Sequence, residues 1–161
     1  KEKEESFSLT TLEENNVKYE ERKTEEPIAD SVLQTNVKHY LDEKHIPYKD
    51  FGCFSEESCN YAEFGHLLGA AIDNGEVYPG IGICGSGEGI SMTLNKHQSV
   101  RAGIAWCPEI AQLIRQHNDA NVLVLPGRFV TNTEAEKILD TFFKATFEGG
   151  RHQRRVDKIS G

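Results

Sequence analysis

Apolar positions along the chain fall into short blocks whose spacing switches between helical and strand-like. Val32, Leu33, Val37, Tyr40 and Leu41 recur at helical intervals after Pro27 and stop near His45 to Pro47, which predicts a helix. Phe64, Leu67, Leu68, Ala71 and Ile72 form an i, i+3, i+4, i+7, i+8 set closed by Asn74 and Gly75. That set predicts a second helix with one face in the core. Ile81 to Cys84 then reads as a buried strand running into the glycine-rich stretch Gly85 to Gly89 and a helix from Ile90 to Lys96.

The same unit repeats downstream. Val100 to Ala105 reads as a strand, Pro108 suits the first turn of a helix reaching Gln116, and Val122 to Leu125 reads as a strand ended by Pro126 and Gly127. Thr133 and Glu136 are spaced as a capping box for a last helix carrying Ile138, Leu139, Phe142 and Phe143. Alternating βα units imply a parallel sheet covered on both faces, so the predicted class is α/β. No internal repeat is present. Lys1 to Glu26 is rich in Glu and Lys with scattered apolar residues and reads as an acidic extension, either a tail or a solvated helix. The expected organisation is that extension, residues 1–26, followed by one domain over 27–161.

Composition narrows the function. The chain has 161 residues, enough for one core of ordinary size, and a formal net charge of -8. Such an acidic chain is not expected to bind nucleic acid, because backbone binding needs basic surface. No apolar run approaches the roughly 20 residues of a membrane span, so no membrane partner is expected. Cys53, Cys59, Cys84 and Cys107 form no CxxC pair, and no charged-then-apolar leader precedes them; we expect reduced thiols in a cytoplasm. Buried structural cysteines are the plain reading for Cys53, Cys59 and Cys107.

In a parallel α/β sheet, ligands bind beyond the carboxyl ends of the strands, where glycine loops offer backbone N–H groups to anions. Gly85 to Gly89 sits at such an end. By itself the loop is a weak signal, since it matches neither the dinucleotide fingerprint nor the phosphate loop. The run Arg151 to Arg155 is unusually cationic for this chain; a solvated end is its plain reading.

Several segments carry more information together. Cys84 to Gly89, Asn95-Lys96, Arg115 to Val122, and Glu148 to Arg155 occur in the order found in type B ribose-5-phosphate isomerases and the related galactose-6-phosphate isomerase subunits, and the chain resembles that family from about Val37 to Ile159. The resemblance implies a Rossmann-like three-layer α/β/α sandwich with a mainly parallel five-stranded sheet. It also implies interconversion of ribose 5-phosphate and ribulose 5-phosphate. That chemistry moves a proton between C2 and C1 through an enediolate and needs a base, an oxyanion cradle, a ring-opening group and a phosphate anchor. Neither a hydride carrier nor a Lewis acid is required if the oxyanion cradle is good, so no cofactor or metal is expected.

By the same resemblance Cys84 is the base, at a strand end facing N–H donors that favour negative charge. Relatives without this cysteine use a glutamate where Ile90 stands here, and isoleucine cannot accept a proton. Ser86 matches the hydroxyl that assists proton movement, and Gly85, Gly87 and Gly89 permit the close backbone approach of an oxyanion hole. His117 matches the ring-opening histidine and Asn118 a substrate contact. Arg128, Arg151 and Arg155 match phosphate contacts, for which a planar guanidinium is suited. Tyr61 matches a tyrosine lining the sugar site, although packing against its own helix fits as well. Glu88 is expected to face solvent, and His152 and Arg154 to be surface or interface residues.

The front of the chain departs from the pattern. Family members open with a buried strand ending in Ser-Asp-His-Ala-Gly, and the corresponding region near Pro27 to Asp30 has neither strand nor pair. Asp30 in a shifted register, or a strand from Phe7 to Leu12, are the substitutes considered. Two further readings stay open: a non-catalytic binder of phosphorylated sugars or assembly subunit, and an isomerase of a six-carbon phosphate such as allose or galactose 6-phosphate. The resemblance also implies active sites shared between two subunits, hence a homodimer or a dimer of dimers. Phe142, Phe143 and Phe147, within six positions, supply more aromatic surface than one face of a small domain usually buries alone, which is consistent with such an interface.

Overall fold

A computed structural model describes residues 30–54, 57 and 59–161. The elements run α1 (Asp30–Glu43), α2 (Tyr61–Asp73), β1 (Gly80–Cys84), α3 (Glu88–Leu94), β2 (Ala102–Ile104), α4 (Pro108–Asn118), β3 (Val122–Pro126), α5 (Asn132–Lys144) and α6 (Gln153–Val156). The three strands are parallel in the order β1-β3-β2, with Gly80 opposite Val122, Cys84 opposite Pro126, and Ala102 also opposite Val122. The helical and strand blocks anticipated from residue spacing are present with shifted ends.

β3 is the centre of the fold. All five of its residues are buried, and its side chains alternate between two cores, as the pleat of a strand requires. Val122 and Val124 pack with Leu68, Ile72, Ile90 and Leu94 from α2 and α3. Leu123 and Leu125 pack with Leu33, Val37, Tyr40, Leu41, Ile138, Leu139 and Phe142 from α1 and α5. The result is helices over both faces of an open parallel sheet, a Rossmann-like α/β arrangement. Across the second core the Tyr40 hydroxyl donates to Asp140. Burial raises the Tyr40 phenol above its ordinary range, and the hydrogen bond to Asp140 adds to this.

Several sequence expectations change. Among the described residues the sheet holds three strands rather than five. Residues 46–54 form no ladder, and the Phe7 to Leu12 strand considered above lies outside the described residues, as does the whole acidic extension. β2 is shorter than Val100 to Ala105 because the Val100 N–H turns back to the His97 carbonyl, 3.1 Å away. The capping box forms two residues earlier than predicted: Glu134 N donates to Thr131 Oγ1 at 3.2 Å and Thr131 N to Glu134 Oε2 at 2.9 Å. Both pairs have the right spacing; Thr131 has the extended backbone of an N-cap, φ -84° and ψ 166°, whereas Thr133 already lies inside α5. Leu67 and Val32, placed on core faces by periodicity, are half exposed.

Phe142 is fully in the core and Phe143 packs against it, while Phe147 lies beyond the end of α5. Phe143 and Phe147 are both partly exposed. Cys53 and Cys59 form a disulfide with Cα atoms 6.5 Å apart, where reduced thiols were expected. Cys84 and Cys107 are free and partly buried. No helix among the described residues is long and apolar enough to cross a membrane.

Candidate active site

The sequence-predicted site residues gather at two places. The first is the carboxyl edge of the sheet. β1 ends at Cys84, and the loop is tied to the β3 end by Gly127 N donating to Cys84 O at 2.9 Å and Arg128 N to Gly85 O at 3.0 Å. Gly87 has φ of 79°, a left-handed conformation that glycine adopts without a Cβ penalty, and caps α3. The hydroxyl of exposed Ser86 accepts from Glu88 N at 3.3 Å. Glu88 faces solvent, as expected.

Two glycines hold neighbours close. A Cβ at Gly89 would lie 2.5 Å from the Tyr61 ring, and one at Gly85 would lie 2.9 Å from Arg128 Nε. Tyr61, the first residue of α2, therefore rests across the opening turn of α3 rather than on its own helix. Asn60 caps α2 by accepting from Ala62 N at 3.1 Å, which fixes where that ring starts. Cys84, Gly85, Ser86, Gly87, Gly89, Tyr61 and Arg128 thus share one edge.

The second group lies at the opposite, amino edge. α4 runs back along the sheet, so His117 and Asn118 in its last turn sit just before β3 begins, and Asp119 ends the helix in a left-handed conformation. Asp119 is held by Arg101 at 3.0 Å and Arg115 at 3.2 Å. Glu148 N donates to Gln116 O at 3.0 Å, docking the segment that carries Arg151 and Arg155 onto the end of α4. His117 stacks on His152, with ring centroids 4.2 Å apart and planes 4° from parallel. Glu148 Oε2 stands 3.8 Å from His117 Nε2 and 3.6 Å from His152 Nε2. Burial holds the His152 imidazole below its ordinary pKa, and the neighbouring His117 ring and Arg151 guanidinium add to this.

Four residue steps of β3 separate the two edges, about 13 Å at 3.3 Å per residue. One chain therefore does not bring Cys84 and His117 together.

The sequence and the fold resemble those of known enzymes. The ribose/galactose isomerase family profile matches residues 29–159. The chain belongs to the ribose/galactose isomerase family. It is 40% identical over 129 residues, 80% of this chain and 87% of the relative, to ribose-5-phosphate isomerase B of Escherichia coli. Among solved structures, a ribose 5-phosphate isomerase of Thermotoga maritima superposes with a TM-score of 0.80 at 42% identity, covering 82% of this chain and 91% of the other. Ribose-5-phosphate isomerase B of Mycoplasma genitalium, solved with bound ribulose-5-phosphate, gives a TM-score of 0.76 at 41% identity, covering 80% and 86%.

Residues of the motifs that carry the family resemblance divide in the structure. Asn95 exchanges two hydrogen bonds with Ala102, and buried Asn121 bridges Ser99 O and Arg101 N; both are framework residues. Two members of the second cluster were missed. His152, expected at the surface or an interface, is 5% exposed, and Glu148 stands out in the sequence only as part of a motif. The i, i+4 spacing of Glu148 and His152 was the available signal; their approach to His117 depends on the docking of the tail.

Proposed function

We propose that this chain interconverts ribose 5-phosphate and ribulose 5-phosphate through an enediolate, in the cytoplasm, as a homodimer or a dimer of dimers whose sites are completed by two subunits. What chiefly supports the reading is the 41% identical M. genitalium structure that holds ribulose-5-phosphate. The separation of Cys84 from His117 by the length of β3 supports shared sites, because a partner can supply the second edge. Catalysis by a Cys84 thiolate also suits a compartment that keeps this thiol reduced. The catalytic domain spans 27–161, with 1–26 as an extension outside it.

The residue roles follow from proton chemistry. His117, with Asn118 beside it, donates to and accepts from the furanose oxygens as the ring opens. Cys84 removes the C2 proton of the open aldose and returns it at C1. Backbone N–H groups of Gly85 to Gly89 stabilise the enediolate oxygen as charge develops, and the Ser86 hydroxyl shuttles the proton between O1 and O2. Tyr61 closes the sugar side of the loop over Gly89. Arg128, Arg151 and Arg155 hold the phosphate by charge-assisted hydrogen bonds.

The test is direct. Purified protein given ribose 5-phosphate should form ribulose 5-phosphate with no added metal or cofactor, at higher kcat/KM than for allose 6-phosphate or galactose 6-phosphate. Preference for a six-carbon substrate would transfer the assignment to that branch of the family. Thermal stabilisation by the sugar phosphates with no turnover would instead make the chain a binder.

A further inference from the structure

Two cysteines six positions apart join an anchored segment to the start of a helix that reaches the candidate active site. The Cα atoms of Cys53 and Cys59 are 6.5 Å apart, inside the range of about 4.4 to 6.8 Å that a disulfide spans. Both residues are partly exposed, within reach of small thiols. Cys59 Sγ also lies 3.4 Å from the Glu57 carbonyl oxygen, an acceptor for its S–H once the bond is cut.

On one side Cys53 follows a fixed point. Gly52 O accepts from Gln34 Nε2 at 3.2 Å, Gly52 N donates to Asp50 Oδ1 at 2.9 Å, and Asp50 pairs with Lys38 Nζ at 2.9 Å. Gln34 and Lys38 belong to α1, whose Leu33 and Val37 are in the core. On the other side Cys59 directly precedes Asn60, the cap of α2, and then Tyr61. The half-exposed Tyr61 ring rests on Gly89, in the loop that follows Cys84.

We propose that Cys53 and Cys59 are a reversible thiol–disulfide site, and that closing the bond holds the first turn of α2, with the Tyr61 ring, against the glycine loop. The effect on sugar binding rests on the function proposed above; the redox pair and the clamp do not.

The first turn of a helix has N–H groups without intrahelical partners and opens more readily than the body. Farther along, α2 is held by packing. A Cβ at Gly65 would lie 3.0 Å from Thr93 Cγ2 of α3, and Leu68 and Ile72 are in the core. Opening the bond therefore frees the start of α2 and leaves its body docked. The exchange balances in two steps. One cysteine thiolate attacks a small disulfide such as oxidised glutathione, forming a mixed disulfide and releasing one glutathione thiolate. The second cysteine then attacks the protein sulfur of that mixed disulfide and releases the other. Two protein thiols lose two protons and two electrons, and one glutathione disulfide becomes two thiols. The short loop keeps the second thiol near the first, which favours closure over a lasting mixed disulfide. In a reducing compartment the pair rests open and closes as oxidised thiol accumulates.

The full chain is equilibrated in glutathione buffers from reduced to largely oxidised, quenched in acid, alkylated and digested. A linked Cys53–Cys59 peptide should appear and disappear reversibly. Its absence in every buffer, or its persistence under excess dithiothreitol, overturns the site. Hydrogen exchange at the Ala62 and Glu63 amides should be at least about threefold faster in the reduced form; equal exchange overturns the clamp. KM for ribose 5-phosphate, which inactivation of Cys84 in a fraction of molecules leaves unchanged, should be about three- to tenfold higher in the reduced form. That range corresponds to a competent state about a third to a tenth populated. Cys53→Ser and Cys59→Ser should each show the reduced-form exchange and KM in every buffer. Equal KM in the two wild-type states, or a shift that persists in both variants, overturns the coupling to sugar binding. A chain that clamps reversibly yet never isomerises overturns the proposed function while the redox site stands.

Discussion

Cys84 lies opposite Pro126 at the carboxyl end of β3, whereas His117 lies in the last turn of the helix that leads into the amino end of the same strand. The two groups proposed for ring opening and proton transfer therefore belong to different edges of one sheet. If a second copy completes each site, Cys84→Ser and His117→Ala should each be inactive alone and recover activity when mixed. Random pairing gives mixed dimers half the time, each with one intact site in two, so up to about a quarter of wild-type activity should return. Continued inactivity after confirmed subunit exchange would exclude shared sites.

Cys84→Ser should fold and still be stabilised by ribose 5-phosphate, but lose about 10² to 10⁴ in kcat, the range that general acid–base catalysis supplies. A hydroxyl is far harder to ionise than a thiol near neutrality. Thermal shift and initial rates measure the two halves separately, and a near-wild-type rate would remove Cys84 from the role.

Arg155→Ala deletes an exposed cation on the short helix α6. A phosphate contact held equally in ground and transition states affects KM rather than kcat. A charge-assisted hydrogen bond of about 1.5 to 3 kcal/mol predicts a rise in KM of roughly 10- to 100-fold with kcat little changed. Unaltered KM would show that Arg155 does not touch the phosphate.

Asp73 joins the end of α2 to the turn before β2, accepting from Ser99 N at 2.8 Å and facing His97 Nδ1 at 3.1 Å. The Ser99 hydrogen bond, seconded by His97, holds its carboxyl below the usual range. A depressed carboxyl contributes stability above its unfolded pKa of about 3.9, and that contribution is lost as pH falls through the folded value. Asp73→Asn should therefore cost about 1 kcal/mol at pH 7 and almost nothing once the wild-type carboxyl is protonated in acid. Urea midpoints of the two proteins near neutrality and in acid give the comparison; an equal difference at both would mean that ionisation of Asp73 is irrelevant.

The order of the elements was legible in the sequence because each rests on local periodicity: three- and four-residue apolar spacing for α1 and α2, and a continuous apolar run for β3. The glycine loop was legible because a chain leaving a strand at Cys84 can turn closely only where Cβ atoms are absent, as at Gly87. Site identity came from several motifs occurring in one order, a property of the linear chain that needs no fold. Which motif residues are framework was not legible, since Asn95 and Asn121 are polar in sequence and become hydrogen-bonded braces only against Ala102 and Arg101.

Tertiary structure alone decided the rest. The choice between Thr131 and Thr133 as cap depended on which of them stands extended just before α5, and the burial of Phe142 depended on α1 and β3 closing over α5. The stacking of His117 on His152 joins residues 35 positions apart in the chain, through a tail docked by one backbone hydrogen bond to Gln116. Periodicity records which face of an element is apolar, because burial repeats with the pitch of the backbone. It does not record which distant segment meets that face, because that contact is fixed by packing and by the closure of the whole chain.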